Sequence, residues 1–172
     1  MDGGAGERVA VSTDACVLVN FARLDRMDLL GRHACYRFAM AEEVEAEVRW
    51  PDQRERMRRC IDAGELEVVA PRGGIGVEDA GGLFHDLGAG EAAALLLALE
   101  RCWHLATDES GKVRRRMEAA LGAHRLLDTS NILLACIRSG MLTVEQADGI
   151  KAELERQRFR MTFASFREVL GE

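Results

Sequence analysis

Eight consecutive apolar residues at positions 92–99 constrain the fold of this chain more than any other stretch. A helix that is apolar on every face has to be buried, so this run predicts a central helix. Glu91 directly precedes the run, and a short apolar segment at 104–107 ends just before Asp108. Such a segment is typical of an interior parallel strand that leads into a loop. The sequence therefore predicts two acidic side chains at the edge of one core.

Strand patterns alternate with helical patterns along the chain. Strands are predicted at residues 8–13, 35–40, 66–70, 104–107 and 124–127, and further helices at 15–21, 24–30, 41–48, 52–63, 112–121, around 132–135 and at 143–157. This alternation is typical of an α/β fold in which helices cover both faces of a central parallel sheet. Ligands of such folds bind outside the carboxyl ends of the strands.

One glycine-rich segment interrupts the pattern. Residues 71–82 contain five glycines, and we expect them to form a flexible loop at the rim of a site. Their GGIG sequence lacks the following Lys-Ser/Thr of a phosphate-binding loop. The segment is therefore not predicted to hold phosphate.

The tail carries regularly spaced apolar side chains. They lie four, three and four residues apart, at Phe159, Phe163, Phe166 and Leu170. This spacing predicts an amphipathic stripe that packs on the core. A homodimer face, or a groove for a helix of a partner protein, is the alternative.

The length and the cysteines indicate one reduced domain. With 172 residues the chain can bury a core of its own, so we expect a single domain at 1–172. Within it we expect a flexible N-terminus at 1–8 and a helical C-terminal extension at 143–172. The five cysteines are odd in number and far apart, which favours packing residues over disulfides or a zinc site.

Charge and hydropathy limit the partners. The longest apolar run has eight residues, whereas a helix needs about 20 to cross a bilayer. The acidic, glycine-rich start is not a signal peptide. We therefore expect a cytoplasmic protein without a membrane partner. The net charge of −6 weighs against a surface that binds any polyanion.

Four acids are placed to meet at one edge of the predicted sheet. Asp14 follows the first strand and Asp108 the fourth, so both lie at the carboxyl ends of parallel strands. Glu91 opens the central helix, and Glu47 lies on the helix after the second strand. Taken singly, each acid could instead be a helix cap or a solvated charge.

Convergence of these carboxylates would require a cation. Two carboxylates about 5 Å apart repel each other by roughly 3 kcal/mol at an effective dielectric constant near 20. Oxygen ligands completed by water suit Mg²⁺ or Mn²⁺ better than zinc. Such ions would generate hydroxide from water and stabilise charge on a phosphoryl group. The implied chemistry is hydrolysis of a phosphodiester.

Four ordered blocks of the chain match a known family. They are VSTDACVLVNF, EEVEAEV, LGAGEAAALLLAL and LATDESGKVRRRMEAALG, followed by a Thr-Ser-Asn-Ile-Leu-Leu helix. In these blocks the chain resembles PIN-domain nucleases, in particular the prokaryotic branch of VapC-like toxins and their stand-alone relatives. The resemblance covers roughly residues 9–145.

The resemblance implies a fold, an activity and partners. The fold would be a three-layer α/β/α domain, and the activity a ribonuclease that depends on a divalent ion. Asp14, Glu47, Glu91 and Asp108 would be its catalytic, metal-binding acids. RNA would be the substrate, and a cognate antitoxin protein and a second copy of the chain are further expected partners.

Three positions stay open within this resemblance. The second block offers Glu43, Glu45 and Glu47, of which Glu47 fits the family pattern best and Glu43 next. Glu109 follows Asp108 and could be an outer ligand. Asp128 stands where relatives often have Gly, and it could add a fifth acid or cap a helix.

Basic residues after Asp108 are candidates for substrate binding. Lys112 is the nearest in sequence, and Arg114, Arg115 and Arg116 follow on the same predicted helix. Three consecutive helical positions point in three directions, so one or two of these arginines can face the site. We therefore predict substrate contacts for Lys112, Arg114 and Arg115.

The function predicted from the sequence is metal-dependent hydrolysis of RNA, with a toxin of a type II toxin-antitoxin pair as one setting. The alternative is a PIN-fold module that binds nucleic acid or protein and hardly cleaves. A phosphotransferase or receiver domain is disfavoured, because Cys16 occupies the place of the second Asp that phosphoaspartyl hydrolases need.

Overall fold

The computed structural model describes residues 7–72 and 84–171, and these form an α/β fold around a parallel sheet. The strands are β1 (Val9–Thr13), β2 (Tyr36–Met40), β3 (Glu67–Val68), β4 (His104–Ala106) and β5 (Leu126–Leu127). The helices are α1 (Ala15–Arg23), α2 (Asp28–Gly31), α3 (Glu42–Glu47), α4 (Pro51–Asp62), α5 (Ala89–Arg101), α6 (Gly111–Leu121), α7 (Thr129–Arg138), α8 (Val144–Arg156) and α9 (Phe166–Leu170). Helices flank the sheet, which gives the predicted three-layer α/β/α fold. None of the helices in this described part has the length and apolarity that a membrane crossing needs.

The strand order β3-β2-β1-β4-β5 places a topological switch point at the centre of the sheet. From β1 the chain proceeds to β2 and β3 on one side, and it later returns to β4 and β5 on the other. Thr13 of β1 pairs in register with Ala106 of β4, so these two strands end side by side. Crevices at such a switch point are the usual ligand sites of open parallel sheets.

The apolar run at 92–99 forms most of α5, as predicted. Its side chains are buried at Ala92, Ala93, Ala94, Leu95, Leu97 and Ala98. The helix packs against β1, α3 and α6, and the Ser12 hydroxyl donates to the Ala94 carbonyl at 2.9 Å. Full burial of a leucine contributes roughly 1.5–3 kcal/mol. The helix therefore fixes the position of its own N-terminus, which carries Glu91, relative to β1.

The two outer strands are shorter than predicted. Strand β3 pairs only with β2 at the edge of the sheet and covers two residues instead of 66–70. Before β5, Ala123–Arg125 form a 3₁₀ turn instead of strand. The Arg125 guanidinium donates to the Ala98 carbonyl at 2.8 Å and thereby ties this turn to α5. The glycine-rich loop predicted at 71–82 lies outside the described residues, apart from positions 71 and 72.

The predicted tail stripe is only partly helical. Phe166 lies in α9 and is fully buried, which confirms core packing at this position. Phe159 and Phe163 lie in the non-helical segment between α8 and α9, so the continuous helical spacing is not observed. The chain leaves α8 through Arg158, whose φ of 69° breaks the helical path.

A buried histidine joins the start of β2 to α7. His33 is fully buried, and its Nδ1 accepts backbone N–H groups of Cys35 at 3.0 Å and Tyr36 at 3.3 Å. Its Nε2 lies 3.4 Å from the Ile132 carbonyl oxygen. This pattern requires a neutral ring with its hydrogen on Nε2.

Acidification is expected to destabilise the fold through His33. Burial lowers the pKa of His33 below 6.5, so the unfolded chain binds a proton that the folded chain excludes. Stability is retained above pH 6.5 and lost as the pH falls below it, by up to about 1.4 kcal/mol per pH unit. Urea unfolding at several pH values between 7.5 and 5.5 measures this loss.

The matched variant for this measurement is His33→Asn. The Asn Oδ1 can replace the Nδ1 acceptor, but the side chain does not titrate in this range. Burial also lowers the pKa of His104, which contributes with the same sign and is present in both proteins. We expect a shallower pH dependence in the variant, and an equal dependence in both proteins would rule out His33 as its source.

Candidate metal centre

Asp14 lies at the switch point and caps the helix that follows it. Its backbone N–H donates to Ala106 O at 2.9 Å, which continues the pairing of β1 with β4. Its Oδ1 accepts the N–H of Ala15 at 2.7 Å. Its Oδ2 accepts the Cys16 thiol at 3.2 Å and the Thr107 hydroxyl at 3.4 Å. The carboxylate is thus held in one orientation.

The surroundings of Asp14 disfavour its negative charge. The residue is 2% exposed. Burial raises the pKa of Asp14, and the nearby Glu91 and Glu47 carboxylates also raise it. No arginine or lysine of the described residues forms an ion pair with it. A buried carboxylate of this kind needs either a proton or a cation.

Asp108 is held by two elements that are distant in sequence. Its Oδ1 accepts the backbone N–H of Thr129 at 2.8 Å. Its Oδ2 accepts the Thr129 hydroxyl at 2.6 Å and the Asn20 amide at 2.9 Å. Burial raises the pKa of Asp108, and Asp128 also raises it. Since each carboxylate oxygen offers about two acceptor sites, Oδ1 retains one for a further ligand.

The N-terminus of α5 brings Glu47 and Glu91 to the same place. Glu47 Oε1 accepts the backbone N–H of Gly90 at 2.7 Å, and Glu91 Oε2 accepts that of Gly88 at 2.9 Å. A helix N-terminus favours negative charge, which offsets part of the repulsion. A Cβ at position 90 would lie 2.5 Å from the carboxyl carbon of Glu47. Glycine at this position therefore allows the close approach.

Glu45, one of the alternatives to Glu47 in the second block, is engaged elsewhere. Its Oε1 lies 3.3 Å from Arg58 Nε in an ion pair on the exposed side of α3 and α4. Among the three candidate glutamates, Glu47 is the one for which the structure records a bond to the N-terminus of α5.

Glu109 joins the cluster. Burial raises the pKa of Glu109, and Glu91, Asp14 and Asp108 each raise it further through their charges. Ligand atoms of Asp14, Cys16 and Glu109 all lie within 4.8 Å of one another, a spacing that suits one metal ion. The sequence left open whether Glu109 is an outer ligand, and in the structure it lies beside Asp14.

Cys16 links Asp14 to Asp108 by hydrogen bonds. Its thiol donates to Asp14 Oδ2, and its sulfur accepts the backbone N–H of Asp108 at 3.2 Å. Burial raises the pKa of the Cys16 thiol far above its usual value, and the charge of Asp14 adds to this. Without a bound cation the thiol is therefore protonated and acts as a hydrogen-bond donor. Its sulfur also belongs to the group of atoms that could meet at one ion.

Asp128 caps a helix. Its Oδ1 accepts the backbone N–H of Asn131 at 2.8 Å and the Ser130 hydroxyl at 2.5 Å. This is the N-cap arrangement of α7. The sequence left two roles open for Asp128, a fifth acid of the site or a helix cap, and the structure shows the helix cap.

The predicted substrate contacts differ in their surroundings. Lys112 Nζ lies 2.9 Å from Asp86 Oδ2, and Arg116 pairs with the same carboxylate. Arg114 pairs with Glu118 at 3.0 Å and lines a cleft beside Asp108. Arg115 is exposed.

The positioning side chains could not be recognised in the sequence. Asn20, Thr107 and Thr129 hold the carboxylates by hydrogen bonds. They are short, uncharged polar residues that show no helical or strand periodicity. In the sequence, Thr107 and Thr129 stand out only because they lie next to a strand end. Asn20 stands out only as a polar residue on the apolar face of α1.

The donor set fits a divalent cation. Of the acids, Asp14 and Glu109 have ligand atoms within 4.8 Å of each other, and the charges of Glu91 and Glu47 raise the pKa of Asp14. Carboxylates in one partly buried site, with no basic partner for Asp14 or Glu109 among the described residues, match the oxygen ligands that Mg²⁺ or Mn²⁺ prefers. The acid cluster could therefore hold such an ion.

Comparison with known proteins gave one positive finding. The family model DUF3368, described as a PIN domain, matches residues 10–172. No curated protein and no solved structure gave a significant match. The matched range includes every acid of the cluster.

Proposed function

The chain belongs to the PIN-domain family, whose fold is a nuclease fold, and we propose that it is a divalent-metal-dependent ribonuclease that hydrolyses phosphodiester bonds of RNA. The observation that carries the proposal is the group of carboxylates around Asp14, which is buried and forms no ion pair with the residues that the structure describes. Such a cluster is costly unless a cation occupies it. Retention of this electrostatic repulsion in a folded protein is expected where the bound cation is needed for catalysis.

In this proposal Asp14, Glu91 and Asp108 bind the ion directly, and Glu47 binds it directly or through water. Mg²⁺ or Mn²⁺ supplies an activated water and neutralises charge on the phosphoryl group. Glu109 adds negative charge next to these ligands. No side chain of the described residues is needed as a general base.

The chain's own contribution is to hold the ligands rigidly. Thr129 and Asn20 fix Asp108 by hydrogen bonds, and the Gly90 N–H fixes Glu47. Supporting hydrogen bonds of this kind typically change metal affinity or activity 10- to 100-fold when they are removed. The bonds therefore keep the carboxylates oriented before any ligand arrives.

The proposal is tested by cleavage of an end-labelled RNA. The purified protein is stripped with EDTA, and cleavage is followed with Mn²⁺, with Mg²⁺ and without metal. We expect product only with a divalent ion, and activity that co-elutes with the protein in size-exclusion chromatography. Equal activity of the wild type and of Asp14→Asn would show that the cleavage comes from a contaminating nuclease.

Metal binding separates the nuclease from a module that only binds. We expect Mn²⁺ to raise the melting temperature of the wild type, because an ion that binds only the folded state stabilises it by about 2.7 kcal/mol at 100 times its Kd. The increase should be largely absent in Asp14→Asn. A wild type that melts at the same temperature with and without Mn²⁺ would favour the binding module.

The proposal extends to the toxin of a type II pair. This role needs an antitoxin that blocks cleavage. A small DNA-binding protein encoded in the adjacent reading frame that co-purifies with this chain and inhibits it would support the toxin role. A stand-alone nuclease is the outcome if that frame encodes no such protein.

A further inference from the structure

A cleft opens next to the acid cluster. Its volume is about 390 Å³. Asp108, Glu109 and Asp128 line it, together with residues 159–163 of the segment between α8 and α9. Pockets for small organic groups begin at about 300 Å³. The cleft is thus large enough to receive part of a substrate whose reacting bond lies at the acids.

Apolar and basic groups also line the cleft. They are Phe159, Met161 and Phe163 together with Arg160, and Arg114 from α6. Their chemistry differs from that of the acids in the lining. It suits a group that has one flat apolar part and one negatively charged part.

Arg160 is available for an anion. It is exposed, and no hydrogen bond or ion pair joins its side chain to another of the described residues. Arg114, by contrast, is held by Glu118 at 3.0 Å. Arg160 is therefore the cation of this cleft that can take up a phosphate without losing a protein partner.

The segment that presents these groups is fixed to the domain. Arg158 adopts a left-handed φ of 69°, which a non-glycine residue keeps only where the surroundings impose it. The N–H of Phe159 donates to Leu154 O at 3.0 Å. The Phe163 ring packs against Phe166 with 4.9 Å between centroids. Phe159 and Arg160 are thus presented by a defined turn.

We propose that this cleft binds the nucleotide next to the scissile phosphate, with its base against Phe159 and a phosphate at Arg160. This inference rests on the proposed nuclease function. A base can lie against an aromatic ring only when it is not paired and stacked within a duplex, so the substrate must be single-stranded at this position. Since any base has a flat face, the contact tolerates different sequences.

Two variants separate the two contacts. Binding is measured by fluorescence anisotropy with a labelled single-stranded 12-nucleotide RNA of random sequence, with Ca²⁺ in place of Mn²⁺ and at several KCl concentrations. Phe159→Leu keeps an apolar side chain but loses the ring, and it should weaken binding about 5- to 100-fold without changing the salt dependence. Arg160→Ala should reduce the slope of log K against log[KCl] by about 0.7.

The control is Arg138→Ala. Arg138 is exposed at the end of α7, roughly 15 Å along the helix from the end that lines the cleft. This variant removes the same charge and should bind like the wild type. Wild-type binding by both cleft variants would overturn the inference. A loss in Arg160→Ala without a change in salt slope would overturn the phosphate contact.

These outcomes can be told apart from failure of the nuclease proposal. If Asp14→Asn abolishes cleavage while both cleft variants bind normally, only the nucleotide cleft is wrong. If the cleft variants bind weakly as predicted but the wild type does not cleave RNA with any metal, the two RNA contacts stand, while the nuclease proposal and the place of the cleft next to a scissile phosphate fail.

Discussion

Asp14→Asn is expected to lower the rate of Mn²⁺-dependent RNA cleavage by about 10³-fold or more. Loss of a ligand removes several kcal/mol of charge stabilisation from the transition state, and each 1.36 kcal/mol corresponds to a factor of ten. The substitution keeps the cap of α1, because the Asn Oδ1 can still accept the Ala15 N–H that Asp14 binds at 2.7 Å. The Asn amide cannot accept the Cys16 thiol and the Thr107 hydroxyl, so these two groups must turn to act as acceptors. Single-turnover cleavage of an end-labelled RNA measures the effect.

The same substitution should make the metal-free protein more stable. Asp14 is buried among other carboxylates, which is why its pKa is raised. A neutral amide removes this repulsion, and a gain of about 1 kcal/mol corresponds to an increase of about 2–4 °C in the melting temperature. Loss of activity together with a higher melting temperature cannot be explained by unfolding.

The matched control for Asp14→Asn is Glu45→Gln. Glu45 lies on the helix that carries Glu47, but it pairs with Arg58 away from the cluster. Removing its charge should change the cleavage rate less than about threefold, because exposed ion pairs contribute little. Equal losses in the two variants would mean that net charge, and not the metal site, controls cleavage.

Gly90→Ala is expected to lower cleavage about 10- to 100-fold without destabilising the protein. The added Cβ would lie 2.5 Å from the carboxyl carbon of Glu47. This carboxylate is the end of a flexible side chain, so it can swing away and leave the cluster. The helix itself tolerates alanine, which has a higher helix propensity than glycine. The expected loss of cleavage rate is the one that follows when a hydrogen bond that orients a metal ligand is removed.

Gly149→Ala is the control for this substitution. Gly149 lies in α8, and a Cβ added there meets no atom within 4 Å. It should raise the stability by up to about 1 kcal/mol and leave cleavage unchanged. The comparison requires melting curves and cleavage rates of both variants. Full activity of Gly90→Ala would show that the position of Glu47 next to Gly90 does not matter for catalysis.

The fold was predictable because its signals are local. The apolar run at 92–99 indicates a buried helix, and β1 and β4 are short apolar segments that end at an acid. The outer strands were less predictable. The turn before β5 depends on Arg125 reaching the carbonyl of Ala98, a contact with no local pattern.

The acids could be proposed from their places after strands and at a helix start, but their supports could not. Asn20 binds Asp108 across 88 positions, and Thr107 binds Asp14 across 93. Such pairs are set by the packing of helices on the sheet. The cleft could not be predicted from the sequence either, because Phe159 and Arg160 approach Asp108 only where the chain turns back after α8.

The anchoring of Asp108 determines when during synthesis the centre can be completed. One of its partners, Asn20, is made before Asp108, whereas Thr129 is made 21 residues after it. Because chains emerge from the ribosome with the N-terminus first, a nascent polypeptide that ends before Thr129 lacks the residue that binds both carboxylate oxygens of Asp108. Any activity that needs a fully oriented Asp108 would thus be absent until Thr129 has been made.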